Sequence, residues 1–148
     1  MTDSQLSCND VKLEQEDIII PKRATKGSAG YDFYLPYDIS IKAKESITVD
    51  TGIRCKIEDS YVLSLYPRSS LGFKYGLQLR NTVGIIDSDY YNADNYGHIK
   101  AKLINTSNED ITLEKGKAFM QGIFTKYYLA EEEEIKEERK GGFGSTNK

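Results

Sequence analysis

The feature that most constrains this chain is a two-residue hydrophobic period in short segments. Ile53, Cys55 and Ile57 alternate with Arg54, Lys56 and Glu58, so an extended backbone there has one apolar face and one charged face, the pattern of a half-buried strand. Other short runs have strand character: the β-branched stretch Asp17–Pro21, the partly alternating Ser40–Ile47, the apolar Tyr61–Tyr66, and the similar segments Ile99–Asn105 and Ala118–Tyr128. Eleven tyrosines and many isoleucines and threonines suit a pleated surface. Strands of this length and spacing predict an all-β sandwich, a jelly roll or distorted β-barrel. Ser69–Tyr75 is the one segment read as a helix, with its opening serines as N-cap residues. Glu131–Arg139 is charged and lacks an apolar stripe, so it reads as a solvated linker, and Gly141–Lys148 is glycine-rich. The expected organisation is one folded domain over residues 1–130, followed by a linker and flexible tail over 131–148.

A chain of 148 residues suits one core. Its net charge of -3 argues against a general nucleic-acid binder, which needs a basic patch against phosphates. Cys8 and Cys55 form no C-x-x-C spacing, and His98 has no cysteine near it to complete a zinc set. Two free thiols in a reducing cytosol are expected. The start of the chain is polar, unlike a secretory signal, and the aliphatic run Ile18–Ile20 is too short to cross a bilayer. These features predict a soluble, cytoplasmic protein.

Five patches between the strands carry chemistry, and each also has a plain structural reading. In Ser28-Ala29-Gly30-Tyr31-Asp32, the carboxylate of Asp32 can serve magnesium, which takes few carboxylates and keeps waters and phosphate oxygens; it can equally cap a turn. Arg68, Ser69 and Ser70 combine a cation with paired hydroxyls at a helix start, a phosphate clamp or an ordinary cap beside a surface arginine. The segment Asn81 to Tyr90 is the most informative. Asp87 follows an apolar run and can deprotonate a water, Tyr90 can pack on a sugar or base, and the amide of Asn81 can match a pyrimidine edge; a hairpin turn is the alternative. Gln121 can donate to a phosphate oxygen or lie on a strand face. Last, Arg139 and Lys140 precede Gly141-Gly142-Phe143-Gly144-Ser145-Thr146, where glycines free the backbone to wrap an anion and an exposed ring suggests a lid over a flat ligand. A disordered tail is the alternative there.

These patches, in this order and over about Ser28 to Thr146, resemble the motifs of the trimeric dUTPase family, of the type found in Gram-positive bacteria and their phages. GIIDSDY and GGFGST carry most of the likeness. The resemblance implies a jelly-roll (β-clip) subunit in a homotrimer whose active sites are shared between chains. It implies magnesium-assisted hydrolysis of dUTP to dUMP and pyrophosphate, which limits uracil in DNA and supplies dUMP for dTMP synthesis. Carried onto this chain, Asp87 is the general base for attack on the α-phosphate and Tyr90 stacks beneath the deoxyribose. Asn81 with the backbone of Gly84, Ile85 and Ile86 reads uracil. Arg68, Ser69, Ser70 and Gln121 hold phosphates, and Asp32 supports Mg2+ through water. Phe143 closes over uracil, while Arg139, Gly144, Ser145 and Thr146 grip the phosphate tail on a neighbouring subunit.

The chain departs from the family pattern in three places. Ala118 stands where an arginine is usual, beside Lys117. Asn92–Tyr96 is an insertion, with His98 where an acid is usual. The tail motif is one residue shorter before Gly141, and Asn147 replaces a glycine. His98 is read as a strand-surface residue, since Asp87 fills the base role. Two other functions compete with the dUTPase reading. A dCTP deaminase of the same fold would need an acid/base such as Glu114. A nucleotide-dependent regulator would bind a protein partner through the polar, aromatic 92–96 insert.

Overall fold

The computed structural model describes residues 7–10, as backbone only, together with 18–131 and 134–142. Phe143, Gly144, Ser145 and Thr146 therefore lie outside the described residues. In chain order the strands are β1 (Ser7–Asp10), β2 (Lys22–Arg23), β3 (Tyr31–Tyr34), β4 (Ile39–Ile41), β5 (Ser46–Asp50), β6 (Ile53–Lys56) and β7 (Tyr61–Pro67). Helix α1 (Ser69–Tyr75) follows, then β8 (Leu77–Leu79), β9 (Gly84–Ile86), a 3-10 turn over Ser88–Asn92, β10 (Lys100–Asn105), β11 (Ile111–Leu113) and β12 (Ala118–Lys126). The architecture is the expected all-β jelly roll with one short helix.

Two sheets position the site. One has the order β2-β3-β12-β7-β9 and the other β5-β10-β8. Their apolar positions meet in a core that includes Phe33, Leu63, Leu103, Phe119 and Met120. Burying side chains of this size is worth roughly 1.5–3 kcal/mol each. A Cβ on Gly122 would come within 2.8 Å of Leu63 Cδ1, so β12 crosses the core where only glycine fits. The buried Asn105 donates to the carbonyl of Ile41 at 3.0 Å and of Glu109 at 2.7 Å, and it accepts from Ser107 N–H at 2.9 Å. Its amide is satisfied and ties the end of β10 to β4.

Several sequence expectations need correction. Residues 18–21 form no strand and pairing starts at Lys22; Pro21 has no N–H for a ladder, and Ile19 and Ile20 stay exposed. Ser40–Ile47 is broken by a turn in which Lys44 has φ 68° and Glu45 N–H bonds the carbonyl of Lys42. Helix α1 has the expected limits, but its N-cap is Arg68 with no side-chain cap bond, so Ser69 and Ser70 lie in the first turn.

The expectation of two free thiols needs correction as well. Cys55 is disulfide-bonded, and Cys8, the chain's only other cysteine, lies opposite it in the antiparallel β1–β6 register. Directly opposed residues of an antiparallel pair come close enough for a disulfide. That pairing joins positions far apart in sequence, so spacing alone did not reveal it.

His98 is buried, not on a strand surface. Its Nε2 accepts the Gly52 N–H at 2.9 Å, which requires a neutral ring protonated at Nδ1. Burial, and then the charge of Lys100, lower its pKa, with Asp50 opposing.

Two predictions follow from these corrections. Thiol titration of the denatured, unreduced protein should find no free thiol, and Cys55→Ala should cost about 2–4 kcal/mol of stability; two titratable thiols would refute the bond. For His98, the folded pKa lies below the unfolded value of about 6.5, so the unfolded chain binds the proton more readily. Stability that is intact above about pH 6.5 should then fall as the pH drops through that value. In His98→Gln the decline in melting temperature between about pH 7 and 5.5 should be shallower; an unchanged slope would show that His98 is not its source.

Candidate functional site

A cavity of about 310 Å³ opens where β9 ends. Both large sheets contribute to its apolar floor: Leu65 from β7, Leu79 from β8, Ala101 from β10 and Met120 from β12. Its polar rim holds Asn81, Asp87, Tyr90, Lys100 and Arg139, and the backbone of Gly84, Ile85 and Ile86 forms one wall. An apolar body with a few convergent polar groups is the usual form of a small-molecule site. Because β9 pairs with β7 through Leu63↔Ile86 and Leu65↔Gly84, the chain leaves the sheet at Asp87. The 3-10 turn then folds Tyr90 back against the rim.

Tyr90 is only 4% exposed. Its hydroxyl donates to the carbonyl of His98 at 2.5 Å and accepts from the Asn95 amide at 2.8 Å. Burial raises its pKa, while the Asn95 bond and the charges of Lys100 and Arg139 oppose that rise. The adjacent Tyr91 is held by Arg54, whose guanidinium carbon lies 3.5 Å from the ring centroid and whose Nη2 donates to the Tyr91 carbonyl at 2.7 Å.

The first residues of the tail reach the same rim. Arg139 Nη2 lies 2.7 Å from Asp87 Oδ2 and Nε lies 2.7 Å from Asp89 Oδ1, while Nη1 donates to the carbonyl of Gly141 at 3.0 Å. The bond to Asp89 is the main cause of a raised Arg139 pKa. The Lys140 carbonyl accepts from Asp94 N–H at 2.8 Å. A Cβ on Gly142 would meet Tyr90 Cε1 at 2.5 Å, so the tail passes the ring where a larger residue would not fit.

The remaining candidates form a second group. Asp32 on β3 sits opposite Gln121 on β12, which sits opposite Tyr66 on β7. Arg68 Nη1 lies 3.4 Å from Asp32 Oδ2, and Gln121 Nε2 donates to the Pro67 carbonyl at 3.3 Å. A Cβ on Gly30 would collide with the Gln121 amide oxygen, so the glycine is what lets that amide lie over the first patch. Ser69 and Ser70 are exposed at the start of α1. None of these residues lines the cavity beside Asp87. Among the described residues no three His, Cys, Asp or Glu side chains converge to hold a metal. Magnesium does not need such a cluster, because it takes few carboxylates and keeps waters and phosphate oxygens.

Sequence reading missed Asn95 and Lys100. Lys100 reaches the rim and pairs with Asp50 at 3.0 Å. In sequence Lys100 was one residue of the strand-like segment Ile99–Asn105, and Asn95 belonged to the insertion Asn92–Tyr96. Glu114, the residue a deaminase would need, is exposed beyond β11 and does not line the cavity. No helix among the described residues is long and apolar enough to cross a membrane.

Comparison with known proteins agrees with this geometry. The model of the dUTPase family matches residues 16–147. A deoxyuridine 5'-triphosphate nucleotidohydrolase of Lactococcus lactis is 43% identical over 138 residues, covering 91% of this chain and 92% of its own. The crystal structure of a dUTPase from Streptococcus mutans superposes with a TM-score of 0.77 at 35% identity, over 84% of this chain and 98% of that one. A dUTPase from phage phi11 of S. aureus, described as coordinating a structural Mg(II) ion, shares the fold with a TM-score of 0.72 at 18% identity, over 89% of this chain and 97% of its own. With the family model matching residues 16–147 and relatives matching over nearly its whole length, this chain belongs to the dUTPase family.

Proposed function

We propose that the protein hydrolyses dUTP to dUMP and pyrophosphate. The observation that carries this reading is the rim itself. A carboxylate (Asp87), a buried aromatic ring (Tyr90), a pyrimidine-matching amide (Asn81) and a strand backbone (Gly84–Ile86) face one cavity.

In this reading the base enters the cavity and meets Asn81 and the β9 backbone, while the sugar packs on Tyr90. The triphosphate then lies toward the outer rim. Asp87, half exposed, accepts the proton of a water aimed at the α-phosphorus, and the bond from that phosphorus to the bridging oxygen breaks to release pyrophosphate. Arg139 pairs with Asp87 at 2.7 Å. A triphosphate offers it a stronger set of acceptors, so substrate binding would draw the guanidinium away and free the carboxylate. Bound with the substrate phosphates, magnesium would neutralise charge on the transferred group, with Asp32 as its protein support.

The second group of residues supports a homotrimer with shared sites. Arg68, Ser69, Ser70 and Gln121 suit phosphate binding, yet they do not line the cavity that holds Asp87. Packing copies of the chain so that this group faces a neighbour's rim would complete a site that one chain leaves in two parts. Arg139 to Gly142 lie against this chain's own rim; in the trimer reading the tail, with Phe143, Gly144, Ser145 and Thr146 beyond the described residues, would instead close a site formed by other chains.

Two experiments test these statements. Purified protein with Mg2+ should yield dUMP and pyrophosphate, lose turnover on chelation, and act poorly on UTP and dTTP. Asp87→Asn should retain nucleotide binding while turnover falls roughly 10²–10⁴-fold; near-normal turnover in the folded variant would remove Asp87 from the base role. For shared sites, Asp87→Asn and a variant lacking residues 141–148 should each be inactive. Refolded together, they should regain part of the activity and run as trimers by light scattering. A mixture that forms mixed trimers and stays inactive would exclude a tail acting on its neighbour.

A further inference from the structure

We propose, resting on the dUTP reading above, that Asn95 is a positioning residue. It locks the Tyr90 ring from behind and thereby sets the discrimination between deoxyribose and ribose.

The 92–96 insertion is built around Tyr90. Ala93 N–H bonds the Tyr90 carbonyl at 3.0 Å, and Tyr96 N–H bonds the Ala93 carbonyl at 2.8 Å. The chain then turns back through Gly97 at φ +70°, where a Cβ would lie 2.7 Å from both the Tyr90 carbonyl oxygen and Tyr91 Cα. Only glycine permits so close a return. Asn92, Asp94 and Tyr96 are exposed, whereas the half-buried Asn95 points into the loop. Its Oδ1 accepts Gly97 N–H at 3.2 Å, which orients the amide so that Nδ2 donates to the Tyr90 hydroxyl at 2.8 Å. That hydroxyl donates in turn to the His98 carbonyl at 2.5 Å.

The phenol oxygen is thus held from two sides by groups that the insertion and its exit supply. The ring can neither tilt sideways nor withdraw from the cavity without breaking a hydrogen bond at that oxygen. This matters for the sugar. A largely apolar surface rejects an added hydroxyl only weakly, by about 10²-fold at best, because the surroundings can yield to it. A ring fixed at its far end yields less, and its own oxygen is engaged with Asn95 and His98 rather than available to a 2′-hydroxyl. Asn95 touches neither sugar nor phosphate in this scheme and acts only through Tyr90.

The test is the ratio of kcat/KM for dUTP to that for UTP, measured in the wild type, Asn95→Asp, Tyr90→Phe and the double variant. Asn95→Asp keeps an acceptor for Gly97 N–H and replaces the donor to Tyr90 by a carboxylate that can only accept, so the hydroxyl, with one proton, can be held by that carboxylate or by the His98 carbonyl but no longer by both. It should lower the ratio by about three- to tenfold, with melting temperature nearly unchanged and most of the change in the UTP arm. In the Tyr90→Phe background the same change should have little further effect, since the hydroxyl through which Asn95 acts is gone. If Asn95→Asp does not fold, Asn95→Ala serves in the same cycle. An unchanged ratio in the folded variant, or an equal loss with and without the Tyr90 hydroxyl, would overturn the inference while leaving the dUTPase reading intact. A wild type without dUTP turnover would overturn both.

Discussion

The structure depends on the double pairing of β12. That strand is held by β3 on one side, Gln121 against Asp32, and by β7 on the other along seven residues, from Met120↔Pro67 to Lys126↔Tyr61. Side-chain period in a strand is two, so a slip of one residue on either side would turn Gln121 and Asp32 to opposite faces and exchange buried positions of β12, such as Met120, for exposed ones. Burial of those core residues therefore sets the register, and the register places the phosphate-type residues. The same β7 carries β9 on its far edge and so determines where Asp87 leaves the sheet.

Around the cavity, polar groups are arranged by how much water reaches them. Tyr90 is buried and its hydroxyl has partners on two sides, as a desolvated hydroxyl requires. Asp87 and Asp89 are half exposed and share one guanidinium. Ion pairs in that setting are weak and screened by salt. A contact of this kind can be exchanged for a ligand, whereas a fully buried pair would cost too much to open. The rim therefore combines a rigid aromatic support with acids whose partner can change.

The Gly97 return shows how the 92–96 loop is accommodated without disturbing the sheets. Its exposed residues extend outward, but its hydrogen bonds run back to Tyr90, and the chain re-enters at His98 and Ile99 directly ahead of β10. His98 then serves two neighbours: its ring accepts from Gly52 and its carbonyl from Tyr90. An acid at that position would carry charge into a buried setting, which a neutral imidazole avoids.

Alternation of apolar and polar residues by itself determined the fold class, because a strand with one buried face leaves that pattern locally. Segments such as Ile53–Lys56 and Tyr61–Pro67 were legible for this reason, as was helix α1 within its limits. The motif residues were legible as types: acids, an arginine with hydroxyls, glycines that free the backbone. Tertiary structure decided which of them meet. Asp87, Tyr90, Asn81 and Arg139 share a rim, while Asp32, Arg68 and Gln121 lie apart on the large sheet, a division set by strand order that no local pattern encodes. The Cys55 disulfide, the burial of His98 and the reach of Asn95 to Tyr90 were hidden for the same physical reason. Each depends on which distant or looped-back atoms come within bonding distance, and only the packed chain settles that.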